Sequence, residues 1–342
     1  MKAAVYYSPQ DIRIEEKPVP EIGDDEVLVQ MKACGMCGSD LMDWYLKPRA
    51  PLVLGHEPTG LIAGKGGKVE GLEVGDRVFV HHHVACLTCH YCQRGNYTLC
   101  ERFHNTYIEP GGFAEYFRVP ASNLQVDTLQ IPESVSFEEA TLIEPVGCCL
   151  RALRKASISI GDSVAIVGAG ATGIIHTILS KNFGASQVIV SDIIDHRLAT
   201  ARKLGADIVV NPKKEDLKGI VHAKTDGRGV DLAIVTAPSM EAYRAALDIC
   251  SKGGKLLIFA PTLPGERLEV SPKELFFSEV QIISSYSTSH LETRQALELI
   301  QQGKIHAGEL ITHRYRLEET AEAFRTALES KESLKVVVLG GD

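Results

Sequence analysis

Gly168-Ala169-Gly170-Ala171-Thr172-Gly173 follows the apolar run 163–167 and opens a segment in which Ile174, Ile175, Ile178 and Leu179 fall on one helical face. A strand, a glycine turn and a helix in this order form the entry to a βαβ unit that holds a dinucleotide. Gly168 permits the tight turn, Gly170 lets backbone N–H groups approach a pyrophosphate at the helix N-terminus, and Gly173 lets helix and strand pack closely. On its own the glycine pattern is weak. The next apolar run, however, leads to Asp192, nineteen residues after Gly173, where a carboxylate can accept hydrogen bonds from an adenosine ribose. Ile193 and Ile194 follow with no adjacent cation to neutralise a 2′-phosphate, so the pattern favours NAD over NADP, and Arg197 is placed to reach ribose or adenine.

Strands are expected at 163–167, 187–191, 208–210, 230–236, 255–259 and 280–284, alternating with segments of helical period, which reads as two βαβαβ halves and a parallel sheet. Residues 1 to about 145 differ in texture. Short β-type runs at 3–7, 26–32, 61–63 and 77–80, separated by Gly, Pro and Asp, suit a barrel or sandwich. Near the C-terminus, helical stretches at 291–302 and 318–328 precede a last apolar run, 336–339, which needs a sheet to join. The expectation is an α/β chain of two closely packed domains with a cleft between them.

A length of 342 residues fits two domains of about 150 residues each. With 44% hydrophobic and 23% charged residues the chain has globular composition. A net charge of −8, without a Lys/Arg-rich block, argues against a nucleic-acid partner and for a small molecule. No run of eighteen apolar residues and no apolar leader with a cleavage site is present, so a cytoplasmic, unprocessed protein with no membrane partner is expected.

Four of the nine cysteines crowd into one loop: Cys86, Cys89, Cys92 and Cys100 read C-x2-C-x2-C-x7-C. Four thiolates close a tetrahedral site around zinc with no open position, which makes the site structural. An iron–sulfur run starts with the same spacing but continues C-x3-C-P, whereas here seven residues intervene and Glu101 follows the last cysteine. His81, His82, His83 and His90 are read as surface residues or as neighbours of the ligands. Upstream, Cys37-Gly38-Ser39-Asp40 and Gly55-His56-Glu57 offer a thiolate, an imidazole and a carboxylate, and three mixed ligands with an open position describe a catalytic zinc. Cys34 also forms C-x2-C with Cys37, but a redox pair needs a thioredoxin-like βαβ context that this β-rich region lacks, so Cys34 is read as a core or near-surface thiol.

Together with Val74-Gly75-Asp76-Arg77-Val78, Gly112-Phe113-Ala114-Glu115-Tyr116 and Glu144-Pro145, these motifs make the chain resemble, over nearly its whole length, the zinc-containing medium-chain alcohol dehydrogenases, nearest the sorbitol and threonine branch. The resemblance implies a GroES-like β-barrel domain at 1–147 and 287–342, carrying two zinc sites, with a doubly wound Rossmann NAD-binding domain inserted at 148–286. It explains which sheet the last run joins. It implies that Cys37, His56 and Glu57 hold the catalytic zinc with Glu144 as an exchangeable fourth ligand, either carboxylate binding directly or through water. Ser39 matches the hydroxyl that takes the proton from the alcohol as hydride passes to NAD. Where relatives carry a histidine three residues beyond that hydroxyl this chain has Met42, so the relay must differ, with Asp43, His104, water or the cofactor ribose as candidates. Thr172 and Phe259-Ala260-Pro261 match positions flanking pyrophosphate and nicotinamide.

The implied activity is NAD-dependent interconversion of a secondary alcohol, a polyol or sugar alcohol being favoured, and its ketone, in a dimer or tetramer. A threonine-type or sugar-acid dehydrogenase is the alternative, with Lys47 or Arg49 meeting a carboxylate. A zinc-free reductase of the same fold would lack Cys37, His56 and Glu57. A zinc-dependent binding protein without turnover would not need Asp192 in its βαβ context.

Overall fold

Apolar β-runs that must be covered on both faces end up in a parallel sheet, and runs that alternate end up antiparallel with one face wet. The computed structural model describes residues 1–341 and contains both kinds. Its chain divides into two compact units, Met1–Gly147 with Thr288–Asp342, and Cys148–Ser287.

In the second unit six parallel strands lie in the order Ile208–Val210, Gln187–Ser191, Ser163–Val167, Val230–Val235, Cys250–Ile258, Gln281–Ser284. Val164, Ile166, Val188, Val190, Leu232 and Ile234 are almost fully buried, which is why these strands are legible as unbroken apolar runs. Strand order reverses on either side of Ser163–Val167, the first in sequence, and the loop leaving it is therefore the switch point where α/β sheets bind ligands. Gln281–Ser284 is one of the two edges, and it stays largely exposed.

In the first unit a seven-stranded sheet runs Ile311–Arg316, Lys335–Leu339, Val27–Gly35, Glu57–Lys65, Arg77–Val80, Thr128–Gln130, with Tyr116–Val119 also pairing Val27–Gly35. A separate three-stranded sheet holds Asp11–Glu16, Lys2–Ser8 and Leu52–Val53. The C-terminal run finds its sheet here, Val337 lying opposite Gly35 in an antiparallel pair. Tyr6, Phe79, Phe113, Phe117 and Phe324 fill the core. The strand Ile311–Arg316 was not expected: Thr312, His313, Arg314 and Arg316 break any apolar run, as an edge strand with a wet face permits.

Three strands meet at Gly35. A Cβ there would collide with Glu57 Oε2 on the neighbouring strand and press on Lys335 Cε at 2.9 Å, so glycine is what lets these two side chains occupy the seam between strands.

Candidate functional site

The chain leaves the Val27–Gly35 strand through Met36 and Cys37 into a short 3-10 turn, Gly38–Leu41. Asp40 locks this turn, its Oδ2 accepting from the Cys37 amide at 2.9 Å. Its other oxygen, Oδ1, lies 3.2 Å from His56 Nδ1. His56 immediately precedes the Glu57–Lys65 strand, so the turn and the strand start are tied through one buried carboxylate. With Nδ1 committed, Nε2 is the imidazole nitrogen left for a metal. Cys37, His56 and Glu57 each offer a ligand atom, and these atoms lie within 4.8 Å of one another. Ser39 Oγ stands 3.5 Å from His56 Nε2. Burial alone would lower the His56 pKa, but Asp40 and Cys37 outweigh it and hold the pKa well above the usual histidine range. A cluster of anionic donors that retains a proton in this way is one that a cation suits, and a thiolate, an imidazole and a carboxylate form a donor set that fits zinc.

Glu57 also forms an ion pair with Lys335 from the C-terminal strand. Burial raises the Glu57 carboxyl, with Lys335 pulling against it. Burial likewise opposes the charge on Lys335, yet Glu57 with Cys37 and Glu144 holds the ammonium above its ordinary value. Lys335 was missed in the sequence, where its one signal is a cation at the head of an apolar run. Glu144, buried in the first turn of the helix Ile143–Lys155, is near enough for its charge to act on Glu57 and Lys335, but the tight group of ligand atoms comprises Cys37, His56 and Glu57 without it. Cys34 is wholly buried beside this corner.

The second cysteine group also converges, with ligand atoms within 4.8 Å and Cys89 Sγ 3.5 Å from Cys92 Sγ. Backbone amides point at the sulfurs: Cys86 N lies 3.3 Å from Cys100 Sγ, and Cys89 N 3.3 Å from Cys86 Sγ. Hydrogen bonds from Thr88 and Cys89 draw the Cys86 thiol down to about 5, while burial pushes Cys92 up to about 12. Four adjacent thiols cannot all ionise without a cation, and a divalent metal lets them do so. All four are free of disulfides.

The three consecutive histidines are not surface residues. His81 is fully buried, its Nδ1 2.9 Å from Asp127 Oδ2, and Asp127 Oδ1 in turn accepts from Thr293 Oγ1 at 2.7 Å. His83 Nδ1 faces the Thr106 carbonyl. The ring of His82 lies 4.8 Å from that of His56. His90 is exposed and pairs with Arg94. Of the relay candidates, His104 is exposed, and Asp43 accepts a hydrogen bond from Tyr6 at 3.1 Å.

In the second unit Gly168 takes φ +112°, and a Cβ at Gly173 would collide with the Gly168 carbonyl, so both positions demand glycine. A Cβ at Gly170 would meet nothing within 4 Å, and the helix Ala171–Asn182 that follows has no side-chain cap. Open space over uncapped amides fits a pyrophosphate. Asp192 is fixed against this loop, Oδ2 accepting from Ala169 N at 2.7 Å and Oδ1 from Ile194 N at 2.8 Å; each oxygen keeps a lone pair for a ribose hydroxyl. Thr172 is half-buried in the first helical turn, and Arg197 is half-buried in the next helix, Asp195–Lys203. Phe259 packs edge-on against His176, while Tyr243 OH donates to the Ala260 carbonyl.

Residues 23–133 match the model of the alcohol dehydrogenase GroES-like domain, and residues 171–302 match that of the zinc-binding dehydrogenase domain. The sorbitol dehydrogenase of Bacillus subtilis is 36% identical, with 99% of this chain and 97% of the relative aligned. An L-threonine 3-dehydrogenase of Rhizobium etli is 32% identical over 99% of this chain and 98% of its own. The crystal structure of an Escherichia coli alcohol dehydrogenase complexed with the cofactor NADH superposes with a TM-score of 0.87 at 29% identity, covering 99% of both chains.

Proposed function

Since the chain belongs to the zinc-containing medium-chain alcohol dehydrogenases, on the side of the sorbitol and threonine enzymes, we propose that it oxidises a secondary alcohol of a polyol or sugar alcohol with NAD, and reduces the ketone in reverse. The observation that carries this reading is the convergence of Cys37, His56 and Glu57 with Ser39 Oγ beside His56 Nε2.

Cys37, His56 and Glu57 would hold one zinc, with Glu144 as a further ligand that gives way to substrate, and Cys86, Cys89, Cys92 and Cys100 would hold a second. Bound at the first site, zinc supplies the Lewis acidity that makes an alcohol acidic near neutral pH, and NAD supplies the hydride acceptor. Ser39 Oγ receives the hydroxyl proton. Asp40 fixes the His56 ring so that Nε2 faces the serine. Met42 has no group to pass the proton on and Asp43 is engaged by Tyr6, so the proton leaves Ser39 through water or a cofactor hydroxyl. In the unit 148–287, the amides opening the helix Ala171–Asn182 take the pyrophosphate beside Gly168, Gly170, Thr172 and Gly173. Asp192 and Arg197 hold the adenosine end.

A substrate bearing a carboxylate, such as threonine or a sugar acid, is the second reading. It is favoured by Arg49, which is exposed and stacked 4.2 Å over the Tyr45 ring. A homodimer or homotetramer fits the unpaired Gln281–Ser284 edge, flanked by Phe276 and Phe277 at 76% and 73% exposure; light scattering tests it. No helix among the described residues is long and apolar enough to cross a membrane. A cytoplasmic setting would keep the four-cysteine group reduced.

Metal analysis of wild type and Cys37→Ala, beside NAD-linked assays on polyols, threonine and simple alcohols, tests the proposal. Two zincs falling to one with loss of activity is the expected result. One zinc, unchanged by the mutation, with no turnover on any alcohol would leave a binding protein on the same scaffold.

A further inference from the structure

The glycine turn that leaves the strand Ser163–Val167 is held from the strands on both sides of it. On one side Gly168 N donates to the Ser191 carbonyl at 2.8 Å, and Ala169 N donates to Asp192 Oδ2 at 2.7 Å. On the other side stands Thr236, the residue that follows the strand Val230–Val235. Its amide donates to the Val167 carbonyl at 3.0 Å. Its hydroxyl donates to the Gly168 carbonyl at 2.7 Å, with the Val167 carbonyl further off at 3.3 Å.

The same hydroxyl bears on both glycines that the turn requires. A Cβ on Gly168 would lie 2.6 Å from Thr236 Oγ1; one on Gly173 would lie 3.1 Å from it and 2.0 Å from the Gly168 oxygen. The Gly168 carbonyl is thus tucked against the first turn of the helix Ala171–Asn182, with the threonine hydroxyl closing the space beside it. A carbonyl in such a place needs a donor. Deprived of Thr236, it is left with the amides that open the helix, which no side chain caps. Those amides are what a pyrophosphate needs, so a carbonyl that turned to them would compete with the cofactor.

We propose that Thr236 is a positioning residue for the cofactor pyrophosphate: its hydroxyl holds the Gly168 carbonyl in place and so keeps the opening amides of the helix free for phosphate oxygens. The assignment rests on the reading of Gly168, Gly170 and Gly173 as the pyrophosphate loop.

The test follows NADH binding by its fluorescence, with ADP-ribose and adenosine as competitors, in wild type, Thr236→Ala, Thr236→Val and Thr236→Ser. ADP-ribose carries the pyrophosphate and adenosine does not. Loss of the donor should raise Kd for NADH and for ADP-ribose about five- to fiftyfold in the Ala and Val variants alike, while adenosine stays within about threefold. Thr236→Ser keeps the hydroxyl and should lie within about threefold of wild type for all three ligands. NADH binding that survives in Thr236→Ala and Thr236→Val overturns the assignment. So does binding that Val restores and Ser does not, which would make volume the requirement, or a weakening of adenosine equal to that of ADP-ribose, which would make the residue a general support of the fold. Wild type that binds neither NADH nor ADP-ribose overturns the reading of the loop, and the assignment with it.

Discussion

Lys335 and Glu57, one on the last strand and the other at the head of the Glu57–Lys65 strand, form an ion pair whose side chains are 3% and 0% exposed. Such a pair is an indifferent source of stability as a whole, but removing one member strands a charge in the interior. In the metal-free protein, where no cation can stand in for the ammonium, Lys335→Met should therefore lower the unfolding free energy by about 3–5 kcal/mol. Adding Glu57→Gln should recover much of that loss, because the stranded charge goes with it, and the two substitutions will not be additive. Urea unfolding of the three variants measures this; a single-mutant cost below about 1 kcal/mol would mean that the carboxylate finds another partner.

The two cysteine-containing groups should separate by their effect on folding. Cys100 is 1% exposed in a loop whose small core consists of Ala85, Cys92, Phe103 and Cys100 itself, so a metal bound to the four cysteines would organise that segment. Cys100→Ser should lose one zinc and lower the melting temperature by several degrees. Cys37→Ala should lose the other zinc with a smaller shift, since Asp40 and the sheet still hold the turn. Elemental analysis with calorimetry tests the contrast, and equal shifts would count against the division into structural and catalytic sites.

Legibility in the sequence followed burial. All six strands of the parallel sheet could be placed, three with the observed bounds; the inner four were legible because their residues are largely apolar on both faces and Gly168 and Asp192 stand at strand ends, whereas the exposed edge Gln281–Ser284 was legible only by its place in the alternation of strands and helices. The polar edge strand Ile311–Arg316 left no such trace. Nor does spacing reveal a polar group that is buried for a reason outside its own segment. His81 needs Asp127, forty-six positions on, and Lys335 needs Glu57, and neither partnership has a sequence period to announce it. The two groups of candidate ligands, which the fold does bring together, were legible because metal chemistry restricts residue type and spacing together.

Asp192 accepts from Ala169 N and Ile194 N, and in the proposed function its carboxylate also excludes a 2′-phosphate. Asp192→Ala should raise KM for NAD at least tenfold by loosening the glycine loop and removing the ribose contact. The preference for NAD over NADP should shrink at the same time. Steady-state kinetics with both cofactors decides; an unchanged cofactor ratio would place the discrimination elsewhere.

His176 lies wholly buried in the helix Ala171–Asn182 with neither ring nitrogen hydrogen-bonded among the described residues, its ring set edge-on to Phe259 at 4.7 Å. Burial lowers its pKa to about 3. Below its unfolded value near 6.5 the unfolded chain therefore binds a proton that the folded chain refuses, and stability falls with pH across the whole interval down to about 3. At pH 5.5, one unit below the unfolded pKa, the cost is about 1.4 kcal/mol. His176→Phe keeps an aromatic ring against Phe259 and removes the titration. Its stability relative to wild type should therefore rise by about that amount between pH 7.5 and 5.5. Denaturant unfolding of both proteins at the two pH values makes the comparison, and the contributions of all other groups cancel in the difference. A relative stability that stays flat over this interval would mean that His176 is protonated in the fold, with a partner supplied by a rearranged interior.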